Sequence, residues 1–313
     1  MNTLAIILKA PFELTLDRVS LIPAGPDDLV IDVEFSGIST GTERLLWNGR
    51  MPAFPGMGYP LVPGYESIGR VIDAGASVKA RIGERVFVPG SNCYADVRGL
   101  FGGAARRLIA PSVRVANIAE GEGEDSVLLA LAATAYHAIA AKHAAPPELI
   151  VGHGVLGRLL ARVAIACGHR APVVWEQNAN RRTGANGYDV IDPSQDERRS
   201  YNSIYDVSGD SSVLDDLIAR LSPGGEIVLA GFYDTRPSFD FAPAFMREAR
   251  LRVAAEWRPS DMAAVQKLLS DGALRLDDII THVCDAADAA SAYRTAFEDS
   301  SCLKMVLDWR TCA

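Results

Sequence analysis

The sequence predicts an α/β protein: a β-rich domain first, then a doubly wound parallel sheet. Three observations carry this. The first 115 residues are a series of short apolar runs cut by glycine and proline. From about residue 124 onward, short apolar runs alternate with helix-like stretches. One junction in that second region is the glycine-rich turn Gly152-His-Gly-Val-Leu-Gly157. With 313 residues, 49% of them apolar, the chain is long enough for two domains, each with its own core.

In the β-rich part, Thr3–Leu8, Asp28–Phe35, Ser67–Ala74, Arg85–Pro89 and Arg106–Ala110 read as strands. The run DLVIDVEF alternates with period two, as a strand with one buried face does. The loop Pro52–Pro60 is dense in glycine and proline, which ends regular structure. Many short strands with such turns suggest a barrel-like domain. Glu124–His143 then reads as a helix stopped before Pro146-Pro147. Strands at Glu148–Val151, Pro172–Trp175, Ser203–Val207 and Glu226–Leu229 alternate with helices at Leu156–Cys167 and Ser212–Leu221. That spacing predicts parallel strands joined by crossover helices. Two further helices, Asp261–Ser270 and Ala286–Asp299, precede a last strand at Cys302–Leu307.

The glycine turn points to chemistry. A strand enters it, an apolar helix leaves it and a second strand follows, the context that gives a GxGxxG pattern its meaning. Gly152 permits the tight turn, Gly154 lets backbone approach a pyrophosphate, and Gly157 lets helix and strand pack closely. The N–H groups of Val155, Leu156 and Gly157 would face the anion at the helix start. Glu176 ends the next strand, where a carboxylate accepts from adenosine ribose hydroxyls and repels a 2′-phosphate. The pattern therefore predicts NAD in preference to NADP. Arg181 and Arg182 follow closely and argue the other way, since either side chain suits a phosphate.

Composition excludes other classes. The formal net charge of −8, with no basic tail or stripe, argues against a nucleic-acid partner. The five cysteines, Cys93, Cys167, Cys284, Cys302 and Cys312, form no CxxC pair, and an odd, scattered set predicts reduced thiols and a cytoplasmic protein. The N-terminal apolar run has no basic flank and reads as a first strand. No run is long enough to span a bilayer.

The order of these parts resembles the medium-chain dehydrogenase/reductase superfamily. The stretches that carry the resemblance are Gly37-Ile-Ser-Thr-Gly-Thr-Glu43, Pro63-Gly-Tyr-Glu66 with Gly69-Arg-Val71, Gly83-Glu-Arg-Val86, Gly102-Gly-Ala104, Ala133-Thr-Ala-Tyr-His137, Asp206-Val-Ser-Gly209 and Gly224–Gly231. It covers essentially the whole chain. It implies a GroES-like catalytic domain over 1–120, a Rossmann domain over 121–255 and a return to the catalytic domain over 256–313. It also implies a contact from Thr134 to the nicotinamide end of the cofactor. Members with a catalytic zinc place Cys, His and a third Cys, Asp or Glu at positions that here hold Ser39 or Thr40, Tyr65 and Ala130. The four-cysteine lobe of a structural zinc is absent too. Zinc takes cysteine, histidine or carboxylate donors, so the sequence predicts none.

More narrowly, the runs GISTGTERLLWNGRMP, PLVPGYESIGRV and FVPGSNCYADVRGLFGGAARRL resemble the bacteriochlorophyllide a dehydrogenase branch. That implies NAD-dependent oxidation of a 3-(1-hydroxyethyl) group to 3-acetyl on a macrocycle. Without zinc, a side chain must take the hydroxyl proton. Tyr65 replaces a ligand and is the first candidate, provided that its pKa falls from about 10. Ser39, Thr40 and Thr42 would orient the hydroxyl or relay its proton. Glu66 is either a base or a buried structural carboxylate paired with an arginine, and Asp96 and His137 are reserves. His153 is expected at the surface over the cofactor. Trp47, Met51, Phe54, Met57, Tyr59, Tyr94, Phe101 and Trp257 are candidates for an apolar cleft. Family resemblance suggests a homodimer through the sheet edge near 226–257, and the apolar substrate suggests peripheral membrane contact. Two other functions are open: a metal-free quinone or enone reductase, and a non-catalytic dinucleotide-binding module.

Overall fold

The computed structural model describes residues 1–312. In chain order, the first part holds β1 (Asn2–Ala10), β2 (Glu13–Ser20), β3 (Asp28–Ile38), α1 (Thr42–Trp47), β4 (Leu61–Val62), β5 (Ser67–Ala74), β6 (Arg85–Val88), β7 (Arg98–Gly99), β8 (Arg107–Pro111) and β9 (Ala116–Asn117). There follow α2 (Leu129–Ala140), β10 (Leu149–Val151), α3 (Val155–Ala166), β11 (Val173–Trp175), β12 (Asp189–Ile191), β13 (Tyr201–Asp206), α4 (Leu214–Ala219), β14 (Leu221–Leu229), α5 (Phe241–Met246), β15 (Arg250–Val253) and α6 (Pro259–Ser270). The chain ends in β16 (His282–Asp285), α7 (Ala289–Glu298) and β17 (Met305–Asp308).

The chain divides into two compact units, Met1–Ala130 together with the stretch from Asp277 onward, and Leu131–Leu276. The divisions thus fall after Ala130 and Leu276, whereas the sequence put them after 120 and 255. The physical reason for the later one is α6. Its Met262 and Val265 are buried, and its Asp261 caps its own N-terminus through Arg258 N–H at 2.7 Å while holding His137 Nδ1 of α2 at 2.8 Å. That helix belongs with the second unit.

In the first unit β3 is central. It pairs antiparallel with β17, β5 and β8, within a seven-stranded sheet. Leu29, Ile31, Val33 and Phe35 are buried while Asp28, Asp32 and Glu34 on the other face are half-buried, so the expected alternation holds except at Val30, which is buried too. A four-stranded sheet, β2-β1-β4-β7, completes this unit. Ile6, Ile31, Val86, Leu108 and Trp309 lie in one core, each almost fully buried.

In the second unit six strands are paired in parallel in the order β12-β11-β10-β13-β14-β15. The order reverses direction at β10, so the end of β10 is the switch point where an open sheet binds its ligand. Leu159, Leu160, Val163 and Ala164 of α3 are buried against the sheet. The sequence missed β12, β15 and α5, whose runs are short and mixed. β15 is an edge strand, and Val253 on it and Phe241, Phe245 and Met246 on α5 are exposed. Among the described residues no helix is long and apolar enough to cross a membrane.

Candidate active site

The glycine turn lies between β10 and α3, at the switch point. Its three glycines differ in what surrounds them. Gly152 has φ +103°, and a Cβ there would meet Ser208 Cα at 3.2 Å. A Cβ on Gly157 would lie 1.9 Å from the Gly152 carbonyl oxygen, so only glycine allows the helix this close to the strand. At Gly154 a Cβ would meet nothing within 4 Å; the backbone there faces open space. Val155, Leu156 and Gly157 form the first turn of α3, which has no side-chain cap. Their amides are therefore an anion site. This cradle fits a dinucleotide pyrophosphate.

Glu176 follows β11. Its carboxylate accepts from His153 N–H at 3.1 Å and Asn178 N–H at 2.8 Å. A carboxylate has about four lone-pair sites, which leaves capacity for ribose hydroxyls. Arg182 does not face a phosphate: its guanidinium donates to the Glu176 and Gln177 carbonyls, both at 2.7 Å, and to Asp192. The half-buried Arg181 offers its backbone carbonyl to His153 and Arg158. His153 itself corrects an expectation. It is fully buried, not a surface residue, with Nδ1 on that carbonyl at 2.6 Å and Nε2 on Tyr188 OH at 2.8 Å. Thr134 is half-buried on α2 of the same unit.

In the first unit, β3 delivers Ser39, α1 delivers Thr42, and the turn after β4 delivers Tyr65. Tyr65 OH lies 2.6 Å from Ser39 Oγ and 3.5 Å from Thr42 Oγ1. Three hydroxyls, two from the 39–42 stretch and one from Tyr65, thus converge. The Tyr65 ring stands edge-on to Phe101, with centroids 5.3 Å apart. Burial, with Glu66 nearby, holds the Tyr65 phenol above its ordinary pKa, the reverse of what a phenolate base requires. Tyr65 is therefore a neutral donor and acceptor in this site, and the expectation of a lowered pKa is corrected.

Glu66 is fully buried and paired with Lys304, which also donates to the Ile38 carbonyl at 3.0 Å. The partner is a lysine, not the expected arginine. Burial pushes the Glu66 carboxyl up against the pull of the Lys304 ammonium. Its Oε1 is buried without a hydrogen-bond partner. Ala130 is buried and offers only a methyl group. Among the described residues no cluster of three or more His, Cys, Asp or Glu could hold a metal ion. The reserves lie elsewhere: Asp96 is exposed and accepts from Ser20 N–H, and His137 is committed to Asp261 in the second unit.

Of the expected cleft residues, Trp47, Phe54, Met57 and Tyr59 are half-buried against Leu8, Leu46, Leu61 and Leu100. Met51 and Tyr94 are core, and Tyr94 OH donates to the Gly102 carbonyl at 2.7 Å.

Sequence reasoning missed Glu43, Tyr293 and Lys304. Glu43 is fully buried, accepting from Ser39 N–H at 2.9 Å and Tyr293 OH at 2.7 Å. It thereby holds the Ser39 loop in place. Burial pushes its carboxyl up to about 7 from 4.5. Between those values the folded chain keeps a proton that the unfolded chain has lost. Stability from this group is full below about 4.5 and disappears as pH rises through about 7, a change of about 3 kcal/mol at most. Melting curves from pH 4.5 to 8 should show that decline, and Glu43→Gln should flatten it; an equal slope in the variant would refute the assignment.

A dinucleotide cradle at a switch point, in a chain whose other unit gathers hydroxyls on a β scaffold, has the two-part plan of a medium-chain dehydrogenase/reductase. Residues 25–120 match the alcohol dehydrogenase GroES-like domain. By fold, the chain is similar to a protein described as a short chain alcohol dehydrogenase from E. coli CFT073, solved with NADH, with a TM-score of 0.85, 21% identity, and coverage of 98% of this chain and 99% of the other. In sequence it is 55% identical to 2-desacetyl-2-hydroxyethyl bacteriochlorophyllide A dehydrogenase of Cereibacter sphaeroides over 100% of both chains, and 55% identical to the protein of that name from Rhodobacter capsulatus over 99% of both. The chain belongs to the 2-desacetyl-2-hydroxyethyl bacteriochlorophyllide A dehydrogenase family.

Proposed function

We propose that the chain oxidises the 3-(1-hydroxyethyl) group of a bacteriochlorophyllide to 3-acetyl, with NAD as hydride acceptor and without catalytic zinc. The observation that carries this is the 55% identity over the full length to two relatives of that name. Bound NAD supplies a two-electron hydride acceptor. The amides of Val155, Leu156 and Gly157 hold its pyrophosphate, with Gly152 and Gly154 shaping the turn. Glu176 accepts from the adenosine ribose and disfavours a 2′-phosphate, Arg181 borders that site, and Thr134 contacts the nicotinamide end.

Tyr65, Ser39 and Thr42 receive the alcohol. The carbinol carbon gives up a hydride, which carries both electrons and one hydrogen, and its hydroxyl gives up a proton, so hydride and proton leave by separate routes. Tyr65 OH accepts the proton while passing its own to Thr42, staying neutral throughout; half-buried Thr42 passes a proton to solvent, and buried Ser39 Oγ orients the Tyr65 hydroxyl. Glu66 supports this group from behind as a buried partner of Lys304. The zinc positions hold two hydroxyls and a methyl group, a donor set that suits no zinc ion. The half-buried apolar group of Trp47, Phe54, Met57 and Tyr59 suits a flat macrocycle. The exposed apolar edge at β15 and α5 supports a homodimer through that edge.

Purified protein mixed with NAD and 3-(1-hydroxyethyl) bacteriochlorophyllide should form NADH as the red absorption band shifts. No turnover, beside activity on simple quinones with NADPH, would replace this reading with a quinone reductase. One stoichiometric zinc per chain would refute the zinc-free part. Glu176→Ala with undiminished preference for NAD would refute the cofactor choice.

A further inference from the structure

His153 stands between the first two glycines of the turn, where any small side chain would leave the glycine geometry intact. Instead its imidazole is fully buried and reaches across to the segment that follows β11. The carbonyl of Arg181 only accepts, so Nδ1 carries the proton and Nε2 accepts from Tyr188 OH. Burial pushes the imidazole down to about 4, which keeps it in this neutral form. The charged groups that face it are Arg158, Arg162 and Glu176.

Arg158 of α3 reinforces the same link. It is buried, and its guanidinium donates to the His153 carbonyl at 3.3 Å, the Arg181 carbonyl at 3.2 Å and the Thr183 carbonyl at 2.8 Å. Gly184 beside it has φ +77°, a backbone conformation that favours glycine. The backbone N–H of His153 meanwhile donates to Glu176 at 3.1 Å. Burying a histidine and an arginine against backbone carbonyls is costly unless each donor is matched. Apart from the His153 carbonyl, the matched acceptors lie on one loop, the one that begins with the ribose carboxylate.

We propose that His153, Arg158 and Tyr188 are positioning residues for the adenosine half of the dinucleotide: they clamp loop 176–188 to the glycine turn and so hold the Glu176 carboxylate at a fixed distance from the pyrophosphate amides. This rests on the reading of the second unit as a dinucleotide site. It adds that discrimination between NAD and NADP depends on rigidity as well as on the charge of Glu176. A loosened loop lets Glu176 swing aside and admits a 2′-phosphate.

The test is direct binding of NADH and NADPH to the full chain by fluorescence titration, with melting temperatures measured alongside. His153→Leu and Tyr188→Phe should weaken NADH about tenfold, the loss expected for one buried hydrogen bond, while NADPH changes little and the ratio of the two dissociation constants narrows. His153→Asn keeps a donor for the Arg181 carbonyl and should restore most of the NADH affinity. Equal weakening of both dinucleotides with a fall in melting temperature would make the cluster merely structural and overturn the proposal, as would unchanged constants. Tyr188→Phe removes a single oxygen, so it decides the matter if His153→Leu does not fold. A wild-type chain that binds neither dinucleotide overturns the dinucleotide reading itself. Pigment turnover is not read, so an error in the substrate shows separately.

Discussion

Replacing Tyr65 by phenylalanine is expected to lower turnover of the hydroxyethyl pigment about a hundredfold, in the range for loss of a positioned proton-transfer group. The substitution removes the oxygen that lies 2.6 Å from Ser39 Oγ and 3.5 Å from Thr42 Oγ1. It leaves the ring and its edge-on contact with Phe101 in place, so KM for the alcohol should stay within about threefold and folding should be unaffected. Ser39→Ala removes the hydroxyl that orients the Tyr65 phenol and should cost about tenfold. Because the Tyr65 phenol is held above its ordinary pKa, turnover between pH 7 and 10 should show no rise from a phenolate. A rise lost in Tyr65→Phe would mean that tyrosinate is the base after all, and unchanged turnover in that variant would remove Tyr65 from the reaction.

Lys304→Met is expected to have the largest effect on stability. It strands the fully buried Glu66 carboxylate, whose Oε1 already has no partner. Breaking a buried pair by removing one member costs about 3–5 kcal/mol. For a chain of this size that is a fall in melting temperature of about 10 °C. The loss should be smaller at pH 5 than at pH 8, because a protonated Glu66 no longer needs the ammonium; burial already pushes its carboxyl upward. Adding Glu66→Leu to Lys304→Met should recover part of the stability by removing the stranded charge. A double variant no more stable than the single one would show that the pair contributes through packing alone.

The fold was legible in outline. Strand β5 coincides with its expected span Ser67–Ala74, and α3 differs from its expected span by one residue at each end, because period and turn residues act within a few positions. Short elements were not legible: β12 (Asp189–Ile191) and β16 (His282–Asp285) are strands because they pair with β11 and β17, not because their runs demand it. The dinucleotide cradle was readable for the same local reason, since its glycines, amides and carboxylate all lie within 25 residues, Gly152 to Glu176. The hydroxyl cluster was half readable. Ser39, Thr42 and Tyr65 were named through family resemblance, whereas their convergence is a property of the folded sheet.

By itself the sequence determined the order of the two parts and the glycine turn with its acidic partner, both of which follow from residue type and local spacing; the lack of good zinc donors at three positions was legible only through the family resemblance that identified those positions. Only the tertiary structure decided what the charged side chains do. Lys304 meets Glu66 across 238 residues and Tyr293 meets Glu43 across 250, and no local rule reaches that far. His153 turned from an expected surface residue into a buried clamp, and the Tyr65 phenol went up instead of down. Both outcomes depend on desolvation and on which charges the fold brings near, and those exist only once the chain is packed.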